Sequence, residues 1–220
     1  MKMNCKVTNI FLIAKKIVFL HFVFATMDNI ILGIDPGTQI LGYSLLEVRD
    51  GKPNLILMDV LYLKKIQDYN LRIRKIFDST VRIIDTYHPD HLAIEAPFFG
   101  KNVQSMLKLG RAQGVAIAAG LSRDLPFTEY EPSVIKQKVT GNGNATKEQV
   151  LMMLRSILQF PDDPHYLDAS DALGVAYTCY LDQNNPLADV RSLLTPAKKH
   201  KSKRQSWADF VNQNSDRLKK

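Results

Sequence analysis

From residue 29 onward the hydrophobic pattern alternates between runs that suit strands and spacings that suit helices. "NIILGID" (29–35) is a continuous apolar run that reads as a buried strand. "LGYSLLEV" (41–48) and "NLILMDVLYL" (54–63) follow across short turns containing Gly or Pro, and three strands so closely linked form an antiparallel meander. Ile73, Ile76, Phe77, Thr80, Val81 and Ile84 then recur at the spacing of one helical face, with Arg72, Arg74, Lys75 and Arg82 around it. "HPD" (88–90) ends that helix, and "HLAIE" (91–95) is a short fourth strand.

A long helix spans about 102–122, rich in small residues (Gly110, Ala112, Gly114, Ala116, Ala118, Ala119) that let another element approach closely. "PFTEY" (126–130) is a fifth strand, "PSVIKQKVT" (132–140) a short helix, and "GNGNA" (141–145) a loop. "TKEQ" (146–149) has the form of a capping box and opens a helix to about 158. Pro164 suits the first turn of a last helix over 165–182. Meander, helix, strand, helix, strand, helices: the expected class is α/β, a mixed five-stranded sheet flanked by helices. That order resembles the ribonuclease-H-like fold.

Composition adds little until charge is divided along the chain. With 45% hydrophobic and 23% charged residues the chain is ordinary globular material. Cys5 and Cys179 are its two cysteines, so a disulfide framework is not expected and a reducing compartment is. The net charge of +7 sits at the ends: residues 1–26 carry four Lys and no acid, and residues 196–220 carry eight Lys or Arg against two Asp. The remainder holds 17 basic and 20 acidic residues, so nucleic-acid affinity in the body requires local clustering. The expected organisation is an extension (1–26), a folded domain (27–185) and a basic tail (186–220). "KKIVFLHFVFAT" (15–26) mimics a secretory signal, yet its apolar run is shorter than the roughly 20 residues of a membrane span and His21 interrupts it. A misplaced start upstream of Met27 and a signal or anchor both remain open. In the tail, "SWADFV" (206–211) is a short docking helix or an extra contact.

The candidate chemistry lies in four acids. Asp35 ends the first strand and Glu95 the fourth; a helical crossover would leave these strands parallel and adjacent, with both acids at one sheet edge. Asp168 and Asp171 are three apart near a helix N-terminus, embedded in "DASDALGVA" among residues that want burial. Four converging carboxylates without partners repel, and divalent metal is the economical neutraliser. All-oxygen donors suit Mg²⁺ or Mn²⁺ rather than zinc. Two such ions about 3.5–4 Å apart clamp an in-line phosphodiester displacement.

The chain resembles the RuvC family of Holliday-junction resolvases, the crossover junction endodeoxyribonucleases. The resemblance runs through "ILGIDPGTQILGY", "LAIEAPFFGKNVQSMLKLGRAQGVAIAA", "YEPSVIKQKVTGNGNATKEQV" and "DASDALGVA", four blocks in order over 29–182. It implies that Asp35, Glu95, Asp168 and Asp171 hold two Mg²⁺, with Mn²⁺ as a substitute. It implies a homodimer that nicks opposed strands of four-way junction DNA symmetrically, in recombination and repair. Phe98, with Phe99 beside it, is implied as a wedge on an unpaired base at the crossover, against the bland reading of core plugs. Lys101, Lys108 and Arg111 continue toward one side of a helix, where they could meet phosphates. Lys136 and Lys147 are implied as phosphate or transition-state contacts near the metals, against the bland reading of solvated surface lysines. Lys147 stands in the first turn of its helix, where the dipole disfavours a cation. A branch-migration motor of the RuvA/RuvB type is an implied partner, and the expected location is the cytoplasm, with no membrane association.

Two rival readings stand beside this one. Asp-x-Gly-x-Thr after a strand also opens actin-like and sugar-kinase ATPase domains, although those usually need a second such domain. A non-catalytic junction-binding or RNA-processing relative would keep the acids for structure alone.

Overall fold

The computed structural model describes residues 28–97, 102–161 and 169–184. The chain divides after Asn185, and every described residue belongs to the first unit. Among these residues no helix is long and apolar enough to cross a membrane.

Strands β1 (Asn29–Asp35), β2 (Ile40–Arg49) and β3 (Lys52–Tyr62) form the antiparallel meander expected of the three tightly linked runs. β2 and β3 extend to a two-residue turn at Asp50 and Gly51, both with positive φ (52° and 71°), the twist a tight hairpin requires. Helix α1 (Tyr69–Tyr87) crosses to β4 (His91–Glu95), α2 (Val103–Leu121) crosses to β5 (Phe127–Tyr130), and the sheet order is β3-β2-β1-β4-β5. β4 runs parallel to both β1 and β5, because a helical crossover returns the chain in its original direction. Three helices complete the unit: α3 (Pro132–Thr140), α4 (Lys147–Leu158) and α5 (Ser170–Gln183).

Three helices differ in detail from their sequence patterns. α1 begins ahead of the periodic stretch because the Asp68 carboxylate accepts from the Asn70 N–H at 2.7 Å, a side-chain cap. Its buried stripe is Ile76, Ser79, Thr80, Ile83 and Ile84, so the expected face is rotated and Phe77 and Val81 sit at its margin. α4 opens on the expected capping box, with Thr146 and Gln149 exchanging side-chain to backbone bonds. α5 starts at Ser170, later than the pattern after Pro164 predicts, and residues 162–168 lie outside the described set. Its N-cap residue Ala169 makes no side-chain cap bond, and Ala169, Ser170 and Ala172 are fully buried.

Period-two alternation sorts the sheet into two faces. Leu32, Ile34, Leu92 and Ile94 pack with Ile76, Ile83 and Ile84 of α1 and with Ala112 and Ala116 of α2. Ile31 and Ala93 turn the other way, into a cluster with Ile135 and Val139 of α3, Val150 and Leu154 of α4, and Leu173, Val175 and Ala176 of α5. α5 is buried from Ala172 through Cys179, as befits a helix apolar on every side.

α2 carries two distinct stripes. Ala112, Ala116, Ala119 and Gly120 are buried against the core. A Cβ at Gly110 or Gly114 would meet nothing within 4 Å, and Val103, Leu107 and Leu121 are 63%, 52% and 53% exposed. These five positions fall at alternating steps of four and three with the half-buried Ile117 among them, an apolar seam with the period of a helix–helix contact.

Candidate functional site

The alternation that builds the core also aims the acids. Asp35 follows Ile31 and Gly33 on one face of β1, and Glu95 follows Ala93 on the same face of β4. The parallel register pairs Ile34 with Ile94, so the two strands finish side by side and present both carboxylates to the layer of α3, α4 and α5. Carboxyl ends of parallel strands are where α/β sheets hold their ligands.

The third acid arrives through a lock between helix and sheet. Ser44 Oγ, fully buried, donates to the Ala172 carbonyl at 3.0 Å. A Cβ on Gly33 would stand 2.2 Å from that same carbonyl oxygen and 2.8 Å from Ser44 Oγ, so only glycine allows the helix so close to β1. The contact fixes the first turn of α5, and Asp171 is the residue next to it. Sequence reasoning missed Gly33 and Ser44 as parts of the site. The available signal was a glycine in the middle of a buried strand, which marks close backbone approach.

Asp35, Glu95 and Asp171 line one cavity of about 240 Å³ together with Lys136 of α3, Lys147 of α4 and the apolar Pro132, Ile135 and Val150. Lys147 Nζ lies 2.8 Å from Asp171 Oδ2. Burial pushes the Glu95 carboxyl up to about 8; the charges of Asp35 and Asp171 add to the rise, and Lys136 and Lys147 oppose it. Glu95 is thus mostly protonated at neutral pH when only protein surrounds it, chiefly because it is buried and secondarily because two other carboxylates share the cavity. The two lysines are distant from the acids in sequence, and the fold brings them in.

The donor set is all oxygen, with no thiol or imidazole in the lining. Such a set fits a hard dication. Among the described residues no three acids, imidazoles or thiols stand close enough together, as placed, to hold one ion. Asp168 lies outside the described residues, as do Phe98, Phe99 and Lys101. Lys108 and Arg111 are exposed on α2 and do not line the acidic cavity.

The family model described as "Crossover junction endodeoxyribonuclease RuvC" matches residues 31–179. A crossover junction endodeoxyribonuclease RuvC of Cytophaga hutchinsonii is 49% identical over 194 residues, covering 88% of this chain and 90% of that protein. One from Porphyromonas gingivalis is 48% identical, covering 87% and 98% respectively. Among solved structures, RuvC of T. thermophilus in complex with a Holliday junction substrate superposes with a TM-score of 0.65 at 28% identity, over 70% of this chain and 95% of that one. A yeast mitochondrial Holliday junction resolvase shares the fold, with a TM-score of 0.53 at 14% identity over 74% of this chain and 82% of that one.

Proposed function

This chain belongs to the RuvC family of crossover junction endodeoxyribonucleases, and from that premise we propose that Asp35, Glu95, Asp168 and Asp171 hold two Mg²⁺ ions, with Mn²⁺ able to replace them. The enzyme is an endonuclease that resolves four-way DNA junctions in recombination and repair, not an actin-like ATPase. The observation that carries the assignment of residues is the cavity itself. Five separate elements deliver three carboxylates and two lysines to about 240 Å³, and one of the carboxyls is pushed to about 8 by burial, with the other two adding to the rise.

Bound there, two divalent cations would supply an activated water on one side of the scissile phosphate and stabilise the leaving oxygen on the other. The protein's own groups prepare for this. Glu95 holds a proton in the metal-free cavity and must release it to become a ligand, so metal binding and deprotonation are linked. Asp171 is held by the Lys147 ammonium, which orients the carboxylate. With DNA present, that ammonium and the one on Lys136 meet non-bridging phosphate oxygens and the charge that develops on them. The apolar walls from Pro132, Ile135 and Val150 exclude water and strengthen each of these interactions.

Binding extends beyond the cavity. Phe98 and Phe99 supply a wedge that stacks on an unpaired base, and Lys101, Lys108 and Arg111 meet flanking phosphates. A second copy covers the open seam of α2, where Gly110 and Gly114 let two helices approach, so that two cavities cut opposed strands with matched nicks. Residues 27–185 form the nuclease domain, with 1–26 an extension outside the fold and 186–220 a basic tail. The enzyme works in the cytoplasm beside a branch-migration motor. The test is nicking of synthetic four-way junctions in Mg²⁺ with the chain and with its Asp35→Asn variant. Symmetric nicks from the first and none from the second support the reading; equal nicking by both removes Asp35 from the metal site.

A further inference from the structure

A second and larger cleft, about 800 Å³, opens at the same end of the sheet but on the opposite helical layer. Its walls come from the turn after β1, from the start of α1 and from the first half of α2. The turn residues Thr38 and Gln39 follow closely on Asp35 in the chain, so one short turn contributes to the cleft just after the strand that carries an acid of the cavity. None of its described lining residues is acidic. Two are cationic: Arg72 and Lys108, for which no carboxylate partner is found among the described residues.

The Arg72 guanidinium is held by main-chain oxygens, its Nε donating to the Ile66 carbonyl at 2.5 Å and a terminal nitrogen to the Thr38 carbonyl at 3.4 Å. Neutral acceptors orient the group without cancelling its charge. Tyr69 Oη donates to the Lys108 carbonyl at 3.4 Å and so ties α1 to α2 across the floor. Gln39 and Gln67 add amides that can both donate and accept. A cleft with fixed positive charge, no opposing acid, an aromatic ring and paired amides suits a flexible polyanion that carries hydrogen-bonding groups at intervals.

We propose that this cleft is a binding track for the DNA strand that flanks the scissile phosphate, with Arg72 and Lys108 contacting successive phosphates and the Gln67 amide and Tyr69 ring lying against the intervening sugar and base. The assignment rests on the reading of the acidic cavity as the cutting centre, since that cavity fixes where the strand enters. It extends the DNA contacts to the start of α1, a segment whose arginine reads from sequence as a solvated helix residue.

The experiment pairs a protein charge with a single DNA charge. Phosphates flanking the scissile one are replaced singly by uncharged methylphosphonates in a synthetic four-way junction. Dissociation constants are measured without divalent metal for the full chain and its Lys108→Ala, Gln67→Ala and Arg72→Lys variants. At one flanking position or more, the neutral linkage weakens the parent about tenfold, the scale of one charge-assisted hydrogen bond. It weakens Lys108→Ala little further, and Lys108→Ala also lowers the slope of log Kd against log salt by about one. Additive losses at every flanking position, with an unchanged salt slope, overturn the proposal. Because Lys108 and Gln67 bear on the cleft without anchoring its backbone, a folding defect in the Arg72 variant leaves the test standing. Failure of the cutting-centre reading shows separately, as junctions left uncut by the parent chain in Mg²⁺.

Discussion

Two clefts draw on the carboxyl end of β1 and the turn that follows it, and they differ in charge, size and construction. The cavity beneath α5 is small, partly walled by apolar side chains and lined by three carboxylates, and there burial, with the charges of Asp35 and Asp171 adding to it, keeps Glu95 protonated up to about pH 8. The cleft beside α1 is about three times as large and is lined by two cations, by amides and hydroxyls and by the apolar Met106 and Leu109, with no acid among its described residues. One strand parity separates them: odd positions of β1 lead Asp35 toward α5, and the turn beyond it returns to the other layer. Chemistry on a phosphodiester needs desolvated charge, because electrostatic interactions strengthen where water is excluded. Holding a long polyanion needs exposed charge that meets the substrate without first shedding neighbours. The sheet keeps the two requirements on opposite faces of one edge.

The largest expected effect comes from removing an acid of the cavity. Asp35→Asn lowers junction nicking in Mg²⁺ by about 10³-fold or more, the several kcal/mol that metal ions contribute to such a transition state. Junction affinity in metal-free buffer stays equal or rises, since a repulsive charge has gone. A parallel loss of affinity in a gel-shift titration would mean that the two clefts do not divide cutting from holding. Lys147→Ala comes next. Its ammonium touches Asp171 at 2.8 Å within the cavity, so single-turnover cutting falls by about 10²-fold while affinity changes much less. Equal losses in both measurements would move Lys147 from the chemistry to the binding surface.

The unequal legibility of the two clefts has a physical cause. Asp35 and Glu95 are readable because each terminates a buried apolar strand, and a charge there has to be explained by whatever lies at the sheet edge. Asp171 stands out for the same reason, as an acid among residues that pack. Lys147 is readable because it sits against a helix dipole. The cleft beside α1 offers no such contradiction. Thr38, Gln39, Gln67, Tyr69 and Arg72 are each ordinary where they stand in the chain, and their meaning comes from being brought together. The Gly33–Ser44–Ala172 contact is hidden for a related reason, because residues 44 and 172 are neighbours only in the folded sheet. The late start of α5 shows the same limit, as proline marks only a possible helix entry.

Titration separates the clefts more gently. The Glu95 carboxyl keeps its proton in the folded metal-free protein up to about pH 8, whereas in the unfolded chain it ionises near 4.5. Between those values the folded state binds more protons, so stability falls as pH rises through that window. The contribution of a neutral Glu95 is complete below the lower value and lost above the upper one. Melting temperatures measured in chelator therefore drop by several degrees from pH 5 to pH 8, and Glu95→Gln flattens that part of the profile. Saturating Mg²⁺ abolishes the difference by supplying the positive charge that protonation otherwise replaces. A profile indifferent to the Gln substitution shows that the cavity is better hydrated than its geometry indicates.

Ser44→Ala is the mildest change and the most discriminating. Ser44 touches no substrate and lies in neither cleft; its hydroxyl donates to the Ala172 carbonyl beneath the first turn of α5. Removing it leaves a buried acceptor short of one donor, a loss of about 1–2 kcal/mol in stability. Gly33 still permits the close approach, so the helix stays docked but its first turn is held less firmly, and with it Asp171. The expected signature is a higher Mg²⁺ concentration for half-maximal cutting, with cutting at saturating Mg²⁺ and junction affinity both close to the parent. A loss of general stability alone would lower the active fraction at every Mg²⁺ concentration equally. A shifted Mg²⁺ requirement therefore reports on the position of Asp171, and an unshifted one removes Ser44 from the support of the cavity.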